Sequence, residues 1–305
     1  MTSKLYVIGN GFDLAHKIPS TFNPDFKNIA LKYESGYQCF WDLYQTENED
    51  IWSDFENLLG RPDFNVLEDI FEGYAPDYSS DRESDRDDII NQVSINGNLK
   101  EAVSEFASKA DAYLDSVNRM ESFEKLLDAS GYYISFNYTH TLENVYNIPK
   151  KQVLHIHGEV GKNNLELGFP EGDFKPEKYK YDVRQKGKGP YAIFDIDDYV
   201  NQIEDYYIAT AYRELIKKCK TFSKPINVDL LIDFLDKNHV EVETIIVYGH
   251  SCAIDFDYFI FLNKKFPNAN WDFYVRGEKQ ERDVQKLIDK ERIMNSYIYP
   301  VETMK

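Results

Sequence analysis

The stretch LYVIGNGFDLAH, residues 5–16, runs from four apolar residues into two glycines, an asparagine and an aspartate. Its Tyr, Val and Ile, bounded by glycine, predict a buried strand over residues 4–8, and a strand ending in glycine suits the first strand of an α/β sheet. Gly9 and Gly11 permit positive φ and close approach of the backbone to a phosphate, with the following amides as donors. Leu14 stands where the G-x-G-x-x-G fingerprint has its third glycine, and Pro19 argues against a long helix directly after the turn. On these residues alone, a phosphate loop and a bare structural turn weigh about equally.

Further strands are expected at YYISF (132–136), VLHI (153–156), TIIVYG (244–249), WDFYV (271–275) and YIYPV (297–301), with helical stretches near 200–220, 227–238, 255–266 and 278–292. Strands alternating with helices predict an α/β fold with a Rossmann-like, mostly parallel sheet flanked by helices. The chain is expected to form a single domain over 1–305, with a helical insertion at about 36–130. Two helices are expected in 41–59, a mobile acidic loop at 72–98, and one amphipathic helix from Leu99 to Met120. Asn23-Pro24 reads as an N-cap and first helical residue for a segment reaching about Tyr33.

The 305 residues carry a formal net charge of −18, which argues against a protein whose main task is gripping nucleic acid. Cys39, Cys219 and Cys252 have no C-x-x-C spacing, so neither a disulfide framework nor a cysteine zinc site is suggested. The apolar run Leu5–Ile8 is shorter than a signal-peptide core, and no later stretch reaches the roughly 20 apolar residues that span a bilayer. The expected location is cytoplasmic, with no membrane partner. A locally basic stretch, FKPEKYKYDVRQKGKGP (174–190), reads more readily as a solvated loop than as a lid over an anion.

Ligands of open parallel sheets bind beyond the carboxyl ends of the strands, so polar residues just after the expected strands carry the functional reading. Four clusters meet that condition: GNGFD (9–13), FNYTHTLE (136–143), HIHG (155–158) and GHSCAIDFD (249–257). Asn137 offers an amide that both donates and accepts, suited to a water or a carboxamide, or else it caps the next helix. His155 and His157, two apart on a strand, are expected to point the same way. His157, at the strand end, is a candidate general base, and His155 reads as a hydrogen-bonded buried histidine. Ser251 lacks the second glycine of a hydrolase elbow, since Ala253 stands there; it caps a helix or binds phosphate. Asp255 holds a ribose hydroxyl or caps the same helix.

Taken in order, IGNGFDLAHKIPSTF (8–22), WSDFE (52–56), FNYTHTLENVY (136–146), HIHG and GHS resemble the bacteriophage abortive infection proteins of the AbiH type over nearly the whole chain. The resemblance implies anti-phage defence, in which an infected cell stops growing or dies before progeny are released. A more distant similarity is to the sirtuin-like (SIR2-like, DHS-like) NAD-hydrolysing domains, carried by Gly9, Gly11, Ile18, Pro19, Asn137, His157, Gly158, Gly249 and Ser251. It implies a hydrolase that takes NAD as ligand or substrate. Gly9, Asn10, Gly11, Phe12, Gly158, Gly249, His250, Ser251 and Asp255 would line the nucleotide, Asn137 would position water or the nicotinamide amide, and His157 would act as base towards a ribose hydroxyl. Asp13 is the candidate to stabilise positive charge developing on the ribose. Two departures stand out: sirtuin-like sequences usually have an aspartate where Thr139 is found, with His140 after it, and no cysteine zinc module is present.

Two other readings remain open from the residues. Asp13, Asn137, His140, His155, His157, His250 and Asp255 include ligand types for a metal-dependent phosphoesterase or nuclease, although D-x-H is missing near the first strand and no metal is expected. The alternative is a non-catalytic module that senses a nucleotide or a phage-derived trigger and signals to a partner protein or to further copies of itself.

Overall fold

The computed structural model describes residues 4–33, 43–44, 51–67, 90, 99–176 and 196–303. Cys39, almost all of the 72–98 stretch and all but the first three residues of the basic 174–190 stretch lie outside them. The chain divides into two compact units, one of residues 1–29, 100–166 and 225–305, the other of residues 30–99 and 167–224.

The first unit is built on a six-stranded sheet: β1 (Lys4–Ile8), β2 (Tyr132–Ser135), β3 (Val153–His155), β4 (Thr244–Tyr248), β5 (Asn270–Val275) and β6 (Ser296–Pro300). Neighbours follow the order β3-β2-β1-β4-β5-β6 and every pairing is parallel. This is the doubly wound arrangement in which the order reverses at β1 and β4. All four residues of the opening apolar run, Leu5 to Ile8, are buried, as a central parallel strand covered on both faces requires. Leu5, Val7, Ile245, Val247, Trp271 and Phe273 pack against helices Val228–Lys237, Phe256–Lys265 and Gly277–Glu291. Tyr6, Ile8, Tyr133 and Tyr248 face the other way, onto residues of Gly11–Ala15, Leu99–Ala112, Glu121–Leu126 and Thr141–Tyr146.

Register places the strand ends level. Ile8 pairs with both Ser135 and Tyr248, and Ser135 pairs with His155, so the residues that follow β1, β2, β3 and β4 emerge along one rim. The four polar clusters therefore share an edge of the sheet.

The turn after β1 starts a helix of only five residues, Gly11–Ala15, in keeping with Pro19 as an obstacle to a long one, whereas the expected cap at Asn23 is corrected. Thr21, not Asn23, supplies the cap further on: its side chain accepts from the Asp25 amide, while Asn23 is extended and precedes a cis bond to Pro24. Thr21 wins because its hydroxyl reaches the amide and also donates to the Asp25 carboxylate.

In the second unit, Phe169–Pro170 pairs in parallel with Ser223–Lys224, and helix Tyr206–Lys220 buries Tyr212, Leu215 and Cys219. The WSDFE motif belongs here: Trp52 stacks on Phe55, and Glu56 receives a hydrogen bond from the buried Lys224 at 2.9 Å. Among the described residues, no helix is long and apolar enough to cross a membrane.

Candidate functional site at the strand ends

The glycines of the first loop are fixed by another glycine. Gly9 donates to the Tyr248 carbonyl and Gly11 to the Gly249 carbonyl, each at 2.9 Å, and a Cβ on Gly11 would fall 2.5 Å from the Gly249 Cα. Gly249 itself has φ +69°, where a side chain is strained as well as crowded. The amides of Phe12 and Leu14 are also engaged, with the carbonyls of Gly9 and Asn10. Gly9 and Gly11 thus bring two strand-end loops into backbone contact at the reversal of strand order, and a phosphate using the Gly11 amide would displace its bond to Gly249. Phe12 points into the core among Phe123, Tyr146 and Tyr248, which leaves only its backbone at the rim. Asn10 is exposed and its amide donates to the Ser20 carbonyl.

Asp13 lies beneath this loop, 1% exposed. Thr139 donates to one carboxylate oxygen at 2.5 Å and Thr141 to the other at 2.7 Å. Burial raises its pKa to about 6, even though the threonine hydroxyls and Asn137 pull the other way. With both oxygens held, Asp13 ties the β1 loop to the β2 loop.

Asn137 caps no helix. The helix after β2 starts at Thr141, and the Asn137 side-chain amide crosses instead to the Gly9 carbonyl at 3.3 Å. Its Oδ1 is buried without a hydrogen-bond partner among the described residues, an acceptor that needs a donor from elsewhere.

His155 and His157 do not share partners, contrary to the alternation expected of a strand. β3 stops at His155, so the two-residue period no longer governs His157. The His155 ring bridges the Asn137 carbonyl and Glu143, both at 2.9 Å, as a buried strut. His157 turns to Asp255, Nε2 to Oδ2 at 3.4 Å. The same Oδ2 lies 3.9 Å from Nε2 of His250, and the Phe136 ring packs against both imidazoles. Asp255 makes no cap hydrogen bond to its helix. Gly158 follows with φ +87°, where a Cβ would strike the Asn164 carbonyl. Ser251 is exposed, and its Oγ accepts only weakly, from the Ala253 amide at 3.4 Å.

Sequence reasoning overlooked the partners of His140. Asp111, from helix Leu99–Ala112, and Glu159 receive its two ring nitrogens at 3.1 and 3.0 Å. Asp111 foremost, with Glu159, outweighs burial and lifts the imidazole pKa to about 9, so the ring is charged at neutral pH. Burial alone would raise Glu159; Lys162 and His140 reverse that and hold it at about 2. Nothing in the local pattern around Asp111 marks it as a partner of a residue 29 positions away. Among the described residues, no group of three or more His, Cys, Asp or Glu side chains is arranged to hold a metal ion.

A family model described as bacteriophage abortive infection AbiH matches residues 5–275, most of the chain and all of this rim. The chain belongs to the AbiH family. Membership supports a role for this AbiH protein in abortive-infection defence against phage. The match takes in the loop glycines, Asn137, His157 and the Gly249–Asp255 segment of the AbiH chain alike. Comparison with curated proteins and with solved structures gave no match.

Proposed function

We propose that this AbiH protein binds NAD at the strand-end rim and hydrolyses the bond between nicotinamide and ribose, depleting the cofactor in an infected cell. The observation that carries this reading is the buried, unpartnered Oδ1 of Asn137 beside the Gly9 loop, at the point of a doubly wound sheet where nucleotides bind. A carboxamide NH2 or a water is the donor that such an acceptor lacks. Thr139 stands where sirtuin-like sequences usually have an aspartate, and the carboxylate of Asp13 lies against its hydroxyl.

In this reaction water replaces nicotinamide at the ribose carbon, the electron pair of the broken bond leaves with nicotinamide, and one proton is released. Asn137 orients the nicotinamide amide or the water. His157, two residues beyond β3, takes the proton of a ribose hydroxyl as positive charge builds on the ring, and the attacking water returns a proton to that oxygen, so that the proton released overall is one of the water's. The backbone of Gly9 to Phe12, with Gly158, Gly249, His250 and Ser251, borders the remainder of the nucleotide, and Asp13 holds the Asn137 loop in place.

The test is chromatographic detection of nicotinamide from NAD incubated with the full chain, with and without lysate of phage-infected cells. Release is expected, falling about 100-fold or more in Asn137→Ala and His157→Ala. Absence of release under both conditions rejects the reading.

A further inference from the structure

We infer that Asp255 is a positioning residue that fixes the tautomer of His157, while a backbone hydrogen bond occupies Nδ1 of His250, so that His157 rather than His250 takes the proton. The inference rests on the NAD-cleavage reading for the identity of the reaction and on the side-chain geometry for the roles.

Asp255 occupies the residue before helix Phe256–Lys265, where a carboxylate ordinarily accepts from the first helical amides. It makes no such bond. Its backbone is left-handed, at φ 63° and ψ 30°, and its side chain, in a residue 7% exposed, is directed at two imidazoles instead. Oδ2 stands 3.4 Å from Nε2 of His157 and 3.9 Å from Nε2 of His250.

The two rings differ in what the protein does with their second nitrogen. Nδ1 of His250 accepts a hydrogen bond from the Cys252 amide at 3.0 Å, so it carries no proton and the proton of the neutral ring sits on Nε2, facing Asp255. The His250 carbonyl is held in turn by the Gln280 amide at 2.7 Å. Nδ1 of His250 is thereby committed as an acceptor, since protonating it would break a buried backbone bond. His157 shares the carboxylate through Nε2–H, which places its basic lone pair on Nδ1. Phe136, with ring centroids 5.2 Å from His157 and 4.3 Å from His250, and Tyr258, 6.2 Å from His157, wall the group with aromatic surface. A carboxylate that orients an imidazole and steadies the charge it acquires is the arrangement by which hydrolases select one histidine tautomer.

The experiment records ring 15N–1H correlations of the full chain and, separately, NAD cleavage. In the unsubstituted protein, His157 is expected as the Nε2–H tautomer. Asp255→Asn keeps a residue type that tolerates the left-handed backbone but turns an NH2 towards Nε2, so the ring should switch to Nδ1–H. The same change should lower kcat about 1000-fold or more while KM moves by less than about threefold. Asp255→Gly, equally suited to that backbone, serves if the asparagine variant does not fold, and should leave the two tautomers mixed. Retention of a pure Nε2–H ring in either variant overturns the inference, as does a loss expressed in KM rather than kcat. If nicotinamide release is absent throughout, the hydrolysis reading fails while the ring spectra still decide the role of Asp255.

Discussion

Around Asp13, the polar groups of the rim meet at short range: 2.5 and 2.7 Å to the two threonines, 2.9 Å on both sides of His155, and about 3 Å on both sides of His140. Around Asp255, the imidazoles stand off at 3.4 and 3.9 Å. Both clusters use carboxylates and histidines from the same strand ends, yet their spacings differ. Short bonds of buried groups hold loops in register. The tighter cluster braces the loops from which the wider one is drawn.

The seam of Gly9, Gly11 and Gly249 divides the two clusters, and breaking it should have the largest effect. Gly249→Ala puts a Cβ 2.6 Å from Gly11 Cα at positive φ; a loss of about 2–5 kcal/mol in urea unfolding is expected. A change near zero would mean that the two loops are free to part.

Next comes Asp13→Asn, which tests whether the brace carries a strained charge. The folded pKa of Asp13, about 6, lies above its ordinary value of 3.8. Its contribution is therefore fully present below about pH 4 and is lost as pH rises through 6. Between pH 4 and pH 8 the unsubstituted protein should lose about 2–3 kcal/mol relative to the asparagine variant. A stability gap that does not vary with pH would show that the group does not titrate in this range.

His140 behaves in the same sense at higher pH. Its pKa is raised from 6.5 to about 9, so its stabilisation is complete below 6.5 and disappears as pH climbs through 9. His140→Gln should cost about 1 kcal/mol at pH 7, a deficit that shrinks by pH 10 in thermal melts. A deficit as large at pH 10 would assign the loss to packing instead.

The smallest effect belongs to Ser251, exposed and weakly bonded. Ser251→Ala should leave unfolding within about 0.5 kcal/mol, so that any change in NAD affinity by calorimetry reports on the ligand alone. A larger loss of stability would place Ser251 with the bracing residues.

The sheet was largely legible. A strand buried on both faces must be apolar at consecutive positions, and β1, β2 and β4 show it; each expected sheet strand appears within about a residue of its apolar run. The rim was legible as a set, because polar residues directly after such runs emerge at strand ends. Their pairing was not. Two-residue alternation put His155 and His157 together, but it applies only while the strand lasts. Asp255 looked like a helix cap because its position in the chain is that of one, and only its dihedral angles and the direction of its carboxylate say otherwise. Nothing local to Thr139 shows that its hydroxyl meets the carboxylate of Asp13, 126 residues away.

By itself the sequence determined the α/β alternation, the parallel sheet, and the glycine-and-polar edges at which a ligand can approach, since each follows from the periodicity and chemistry of a few adjacent residues. The tertiary structure decided which of those groups meet. Asp13 and Thr139 are 126 residues apart and His157 and Asp255 are 98 apart. Such pairs depend on strand order and register, which place β1 between β2 and β4 and which no local pattern encodes.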